Sequence, residues 1–250
     1  MSKEITADKA LVVQSNRLIE GRYKLSLVET RIIHYLISQI QYDDTDFATY
    51  RLYIKDLAEV AGTQDEALYT KVRKAIKNLL SNPFVIPEPD GDRELNWLAE
   101  AKYRNKKGCV DLQFAAGLKP YLLELKSNFT KHYLSVAFSL ANSHFIRIYL
   151  LLKQYESIGK RSIALEQLHH ILTLSSSYKL YANFNNRILK PCQQEFDTNN
   201  NIDISFTFKE LKTRQKVTGI EFSIIKKQQL HLPFAQAKEL DPCLLYTSPS

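Results

Sequence analysis

Hydrophobic residues recur at steps of three and four positions in residues 25–40, the first strongly patterned segment of the chain. This spacing predicts an amphipathic helix, since such positions share one face. Ser26 followed by Glu29 predicts a capping box where the helix begins. After a polar loop, the pattern predicts a short strand over residues 50–53 and a short helix over residues 54–61. The chain therefore opens with the order helix, strand, helix.

The next segment predicts a second long helix followed by strands. Over residues 64–80, apolar residues form one stripe and basic residues lie opposite, because each helical residue advances by about 100°. Pro83 ends this helix. Three strands and one more helix are then predicted over residues 84–86, 95–103, 109–114 and 118–126.

The second half of the chain repeats this order. An apolar helix is predicted over residues 138–155, a strand begins at Ile163, and a short helix covers residues 164–172. A serine turn then leads into a basic helix over residues 178–196 and a hairpin over residues 202–225. Helix, strand, helix, turn, helix and two strands is the order of a winged helix. The apolar helix has too wide an apolar face for one small domain, so we expect it to pack also on the first domain or on a partner subunit.

The two halves share layout far more than sequence, which indicates a structural pseudo-repeat. We therefore predict an α+β fold of two tandem winged-helix domains. The domains are predicted to span residues 1–131 and residues 132–242, with the main DNA-recognition helix in the second.

The basic helix divides into an apolar face and a polar face. The face predicted to lie in the core consists of Tyr181, Phe184, Ile188, Cys192, Glu195 and Phe196. The opposite face, predicted to enter the major groove, consists of Lys179, Asn183, Asn186, Arg187 and Lys190. Arginine pairs with guanine edges and asparagine with adenine edges, while lysine neutralises phosphates. The alternative is a polar face that contacts only water.

Basic residues also mark the hairpin tips and the first domain. Lys212, Arg214 and Lys216 lie at the tip of the second hairpin, which predicts a wing along the phosphate backbone. A soluble surface hairpin is the alternative. The corresponding DNA-contacting residues predicted in the first domain are Lys71, Lys74, Lys77, Asn78, Arg104, Lys106 and Lys107.

Charge and composition agree with a nucleic-acid partner. The 250 residues carry a formal net charge of +7. Residues 1–131 contain 20 Lys and Arg against 18 Asp and Glu, whereas residues 132–250 contain 14 against 9, so the second half is the more basic. The three cysteines form no CxxC pair, which argues against a disulfide framework or a zinc site. The polar start and the absence of a long apolar run favour a cytoplasmic protein without a membrane span.

No catalytic constellation is found in the sequence. A phosphate-binding GxxxxGK[ST] motif is missing. His169 and His170 are adjacent on a predicted helix, where their side chains diverge by about 100° and fit one metal poorly. We therefore expect a protein that is not an enzyme and that uses no metal and no cofactor.

Several segments, taken together, resemble one known family. Residues 12–40 contain Ser15–Asn16, Arg22–Tyr23 and the capped helix, and are similar to the opening of the initiator replication proteins of theta-type plasmids, the Rep_3-like family. Similar segments follow in the family's order at residues 54–62, 118–134, 145–155, 186–196 and 216–224. The resemblance spans roughly residues 11–225. The last residues, 243–250, depart from it and are similar to translated adapter DNA, so we expect a non-native tail there.

The resemblance implies a function. Such initiators have two winged-helix domains, and their monomers bind direct repeats of the origin, called iterons, and open an adjacent AT-rich region. They recruit the host replication initiator and helicase, and their dimers often repress their own gene. By position, Asn186, Arg187 and Lys190 would lie in the major groove, and the first-domain helix would contact the other half of the repeat. The alternatives are a winged-helix transcription regulator and a rolling-circle nicking enzyme.

Overall fold

The computed structural model describes residues 10–60, 68–104 and 107–227. The described residues of the first half form seven strands and five α-helices. In chain order these elements are β1 (Leu11–Ser15), α1 (Asn16–Glu20), α2 (Leu27–Ile37), β2 (Tyr50–Tyr53), α3 (Ile54–Val60), α4 (Leu68–Ser81), β3 (Phe84–Glu88), β4 (Gly91–Leu95), β5 (Leu98–Arg104), β6 (Cys109–Phe114), α5 (Lys119–Leu122) and β7 (Phe129–Tyr133).

The second half continues with helices and ends in a long hairpin. Its elements are α6 (Leu134–Ser139), α7 (Ser143–Lys153), β8 (Lys160–Ala164), α8 (Leu165–Ile171), α9 (Tyr181–Phe184), a π-helical turn (Asn185–Leu189), α10 (Lys190–Thr198), β9 (Ile204–Thr213) and β10 (Lys216–Lys226). The last five of these segments correspond to the predicted basic helix and hairpin. The expected tail at residues 243–250 lies outside the described residues.

The capping box at Ser26 is confirmed. The Glu29 amide donates to Ser26 Oγ at 3.3 Å, and the Ser26 amide donates to Glu29 Oε2 at 2.7 Å. Ser26 has extended dihedrals, φ −65° and ψ 165°, so α2 begins at Leu27 rather than at Leu25. Local hydrogen bonding therefore determines this helix start.

The prediction of a single apolar helix over residues 138–155 is wrong. The structure divides this stretch into α6 and α7, and Asn142 lies between them with φ −136° and ψ 135°. Its side chain accepts the His144 amide at 2.8 Å, which satisfies one free N–H at the start of α7. An asparagine inside an apolar run thus begins a new helix instead of continuing the old one.

Two further element predictions differ from the structure. The helix predicted over residues 118–126 is only a 3₁₀ turn, Ala116–Leu118, followed by the single turn of α5, since the chain becomes extended at Leu123. The strand predicted over residues 95–103 is divided, and β4 pairs with β3 in a separate two-stranded sheet.

Each half contains a three-stranded antiparallel sheet. The strand order is β2-β6-β5 in the first half and β8-β10-β9 in the second. In both, a short strand that precedes a helix pairs with one strand of the following hairpin, as in a winged helix. A fourth sheet pairs β1 with β7 from Leu11↔Tyr133 to Ser15↔Phe129. The predicted domain boundary between residues 131 and 132 falls within β7, which pairs with β1 of the first half. That boundary therefore stays a prediction.

The two halves have separate cores that meet at one seam. The first core surrounds α2 and α4, and the second surrounds α7, the basic helix and the β9–β10 hairpin. Ile19 of α1 packs in the second core, whereas Leu134 and Phe138 of α6 pack in the first. The second surface expected for the apolar helix is therefore the first domain.

Two buried arginines fasten this seam. Arg147 on α7 donates to the carbonyl oxygens of Gly21 at 2.6 Å and Ile171 at 2.9 Å, and its guanidinium lies 3.5 Å from the Tyr23 ring centroid. Arg161 pairs with Glu20 at 2.5 Å. Hydrogen bonds to charged donors are among the stronger ones in proteins, so these contacts hold the two domains in one arrangement.

Candidate nucleic-acid interface

The basic helix contains a π-helical turn at its centre. The backbone N–H of Lys190 donates to the carbonyl oxygen of Asn185, five residues earlier. Pro191 follows directly, and a proline in a helix has no N–H and clashes with the carbonyl four residues before it, here that of Arg187. A wide turn relieves that clash. Arg187 therefore lies in the irregular part of the helix, which the sequence prediction missed although Pro191 was visible.

The apolar face of the basic helix packs as predicted for four of its six members. Phe184, Ile188, Cys192 and Phe196 are each no more than 1% exposed. Burial raises the pKa of the Cys192 thiol well above its ordinary value. Tyr181 is only partly buried, and Glu195 accepts the Ala141 amide at 2.8 Å.

The polar face is largely exposed. Lys179, Asn186, Arg187 and Lys190 are all exposed to solvent. Asn183 differs, since it is half-buried and its Nδ2 donates to the Ser177 carbonyl at 2.8 Å. Asn183 therefore braces the turn before the helix and has one amide hydrogen fewer to offer a base. Asn186, Arg187 and Lys190 lie within the helical stretch, whereas Lys179 precedes it, because the helix begins at Tyr181 rather than at residue 178.

The second hairpin presents its basic tip to solvent. Lys216 pairs with Thr213, so Arg214 and Gln215 form the turn, and Arg214 adopts a left-handed φ of +57°. Lys212, Arg214 and Lys216 are all exposed. The basic tip is therefore accessible to a phosphate backbone along its whole length.

The hairpin is fastened to the basic helix. Gln193 Nε2 donates to the Phe206 carbonyl at 3.0 Å, and the rings of Phe196 and Phe206 pack edge to face with centroids 5.2 Å apart. Both contacts lie behind the exposed surfaces. Because helix and hairpin share one core, they form one rigid unit that can contact DNA with both elements at once.

One carboxylate lies within this basic surface. Glu210 on β9 pairs with Lys212 at 2.8 Å. The hydrogen bond from Lys212 lowers the pKa of the Glu210 carboxyl, and the nearby charge of Lys190 lowers it further. Glu210 thus remains ionised and offsets part of the positive charge that the helix and the tip present.

We expect Glu210→Gln to strengthen binding to every duplex, specific or random. The change releases Lys212 and removes a negative charge beside the phosphates, so the slope of log K against log salt should steepen by about 1 unit. Fluorescence anisotropy over a salt series measures this. Glu221→Gln is the matched control, because Glu221 pairs with Lys160 at 3.0 Å, away from the tip. An unchanged slope for Glu210→Gln would show that Lys212 does not reach a phosphate.

The first domain presents a similar helix. On α4, Val72, Ile76 and Leu79 are buried, while the three predicted lysines Lys71, Lys74 and Lys77 are exposed. Asn78 belongs to neither group. It is half-buried, and its Nδ2 donates to Glu29 Oε1 at 2.9 Å, which fastens α4 to α2.

The first hairpin holds its arginine differently from the second. Arg104 Nε donates to Asp111 Oδ2 at 2.7 Å, and Arg51 Nε donates to Asp111 Oδ1 at 2.7 Å. The hydrogen bond from Arg51 lowers the pKa of the buried Asp111 carboxyl to about 2. Lys107 is exposed, and Lys106 lies outside the described residues. Sequence reasoning missed Arg51 and Asp111, although an aspartate within an apolar strand was a signal.

Residues 10–60, 68–104 and 107–227, which the structure describes, lack two other features. In these ranges, no three His, Cys, Asp or Glu side chains come together in a way that could hold a metal ion. The same ranges contain no helix long and apolar enough to cross a membrane.

Fold and surface together define a protein with two tandem winged-helix domains, and comparison with known families agrees. The family described as "Initiator Replication protein, WH1" matches residues 11–153, and that described as "Initiator Rep protein, WH2" matches residues 164–224. The chain therefore belongs to the Rep_3-like family of initiator replication proteins, which are DNA-binding. This confirms both the resemblance and the fold class predicted from the sequence.

Two individual relatives and one solved structure are similar to the chain. The chain is 26% identical over 209 residues to a "Replication initiation protein" of Escherichia coli, covering 78% of this chain and 64% of that protein. It is 27% identical over 165 residues to an "Uncharacterized 27.6 kDa protein" of Escherichia coli, covering 60% of this chain and 69% of that one. In fold it is similar to the Pi initiator protein, crystallised in complex with iteron DNA, with a TM-score of 0.74, 16% identity, and coverage of 88% of this chain and 99% of that one.

Proposed function

We propose that this protein binds the directly repeated iterons of a plasmid origin and promotes opening of the adjacent DNA. The observation that supports this most is the exposed face of the basic helix, fastened through Gln193 to a basic wing, in a chain of the initiator family. The Pi initiator, similar in fold, was crystallised with iteron DNA. The monomer would bind the origin, and a dimer would repress the gene that encodes the protein.

Each part of the surface has a proposed role. Arg187 would donate two hydrogen bonds to a guanine edge and Asn186 would pair with an adenine edge, whereas Lys179 and Lys190 would neutralise flanking phosphates. The wing would follow the backbone beside the groove. The lysines of α4 would contact the other half of the repeat. Asn183 and Asn78 would support these surfaces through their hydrogen bonds within the protein.

We further propose that this initiator acts without catalysis, cofactor or metal, in the cytoplasm, and that it recruits the host replication initiator and helicase. Binding and bending of DNA need no bond to break, so their free energy comes from contacts alone. A strand-cleavage assay with magnesium or manganese tests the rival nicking enzyme. Any nicked product that depends on this protein would overturn the non-catalytic proposal.

Footprinting on the DNA around the gene tests the main proposal. Protection of several direct repeats, each of roughly two helical turns or about 20 base pairs, beside an AT-rich stretch would support an initiator. Permanganate reactivity of that stretch on a supercoiled plasmid would report opening. Protection of a lone inverted repeat at a promoter would instead support a transcription regulator.

The wing has its own expected result. Replacing Lys212, Arg214 and Lys216 together with alanine should weaken binding to all duplexes alike. If their phosphate contacts are lost, the slope of log K against log salt should fall by about 2–3 units. The matched control keeps the charges, as Lys212→Arg, Arg214→Lys and Lys216→Arg. A triple-alanine protein with the wild-type slope would mean that the tip contacts only water.

A further inference from the structure

An apolar side chain stands at the start of the basic helix, on a surface that is otherwise polar. Leu180 is 70% exposed, the highest value among the large hydrophobic side chains of the described residues. It follows Lys179 directly and precedes Arg187 by seven residues, about two turns. A leucine so exposed in the free protein gains free energy when any apolar group covers it.

The backbone holds Leu180 in a defined place. It is the N-cap residue of α9, with φ −76° and ψ 119°. Its carbonyl accepts the amide of Asn183 at 3.0 Å and that of Phe184 at 3.4 Å, which are the first bonds of the helix. The Asn183 side chain also ties the preceding turn to the helix through Ser177. Leu180 is therefore a fixed feature of the helix start and moves with the residues that follow.

The position of Leu180 determines what can cover it. The first residues of a recognition helix are those that contact base edges in the major groove. The base-pair edges there present donors, acceptors and one apolar group, the C5-methyl of thymine. Leucine has no hydrogen-bonding group, so it can distinguish base pairs only through that methyl group.

We propose that Leu180 is a specificity-determining residue that contacts the C5-methyl group of a thymine in the bound site. This rests on the proposed function, since it requires the basic helix to lie in a major groove. It adds an apolar contact to the hydrogen bonds of Asn186 and Arg187. Together the three residues select a thymine in addition to the guanine and the adenine.

Deoxyuridine tests the contact, because it differs from thymidine only by the missing methyl group. The probe is a duplex that the wild-type full chain selects from a random pool, with each thymine replaced singly by deoxyuridine. Wild-type protein should lose about fourfold in affinity at one thymine or at two adjacent ones, the value expected for one buried methyl group. Leu180→Ala should bind the thymine duplex more weakly and show no penalty for deoxyuridine at that position.

Ile158→Ala is the matched control, since Ile158 is also an exposed aliphatic residue, at 67%, in the loop after α7. It should keep the full deoxyuridine penalty. A penalty that persists in Leu180→Ala, or a loss equal on specific and random duplexes, would overturn the methyl contact while leaving origin binding intact. Wild-type protein that selects no sequence from the pool would overturn the proposed function, and this contact with it. Thermal unfolding midpoints verify that both variants fold.

Discussion

Arg187→Ala is expected to lose about 1–3 kcal/mol of discrimination between the specific site and random duplex. Arg187 is exposed on the basic helix, and its planar guanidinium can donate two parallel hydrogen bonds to one guanine. On random duplex, Arg187 contributes only the attraction of its positive charge to the phosphates. The affinity of Arg187→Ala for random duplex should therefore fall far less than its affinity for the specific site. Competition binding at one salt concentration measures both affinities.

Arg187→Lys provides the control for charge. Lysine keeps the phosphate attraction but cannot reproduce the paired hydrogen bonds of arginine. It should retain the wild-type salt slope and still lose most of the discrimination. If Arg187→Ala weakens specific and random binding by the same factor, Arg187 contacts phosphate and the proposed base contact is wrong.

Mild acid is expected to destabilise the fold through two buried histidines. His34 on α2 and His132 on β7 are each 3% exposed, and their ring centroids lie 5.2 Å apart. Burial lowers the pKa of both side chains, that of His132 to about 3. The positive charges of Lys153, near His132, and Arg147, near His34, lower them further. Neither histidine can accept a proton without placing a positive charge in the core.

The direction of the pH dependence follows from these pKa values. The unfolded chain binds protons on its histidines near pH 6.5, whereas folded His132 does so only near pH 3. The contribution of the neutral, buried histidines to the free energy of unfolding is therefore present in full above pH 6.5 and is lost as pH falls toward 3. Below pH 6.5 the loss approaches about 1.4 kcal/mol per pH unit for each histidine. Both together should cost up to about 3 kcal/mol per unit.

Urea unfolding between pH 7.5 and pH 5 measures this loss before most carboxylates titrate. His132→Leu removes one of the two most deeply buried protonation sites and should reduce the slope, while burial of His144 and His169, which also lowers their pKa values, maintains part of it. His170→Gln, at an exposed position on α8, is the control and should leave the slope unchanged. A free energy of unfolding that is constant from pH 6.5 to pH 5 would contradict the expectation.

Elements with strong local signals were predictable from the sequence. The capping box at Ser26, β2, β6 and the second hairpin follow from residues within a few positions of one another. The buried face of the basic helix was also predictable, because a stripe of apolar residues must find a core. The repeated order of these elements then indicated two winged helices without any information on contacts between them.

The π turn shows where local signals are not enough. Phe184, Ile188, Cys192 and Phe196 are spaced four residues apart, so in a straight α-helix each step would rotate the stripe by about 40°. A wider turn rotates the stripe back toward the core. Pro191 indicated a disturbance of the helix, but only the packing of apolar residues on both sides of it selected a wide turn over a kink.

Contacts within the folded protein engage several of the polar residues that are predicted to contact DNA. Asn78 and Arg104 are held by Glu29 and Asp111, and Lys212 is paired with Glu210. At the seam between the domains, the buried guanidinium of Arg147 stacks on the ring of Tyr23, which lies 124 positions earlier in the chain. A helical pattern shows on which face of the helix a side chain lies, because that depends only on the backbone period. The hydrogen-bond partner of that side chain is distant in the sequence. The partner is therefore known only once the fold brings the two residues together.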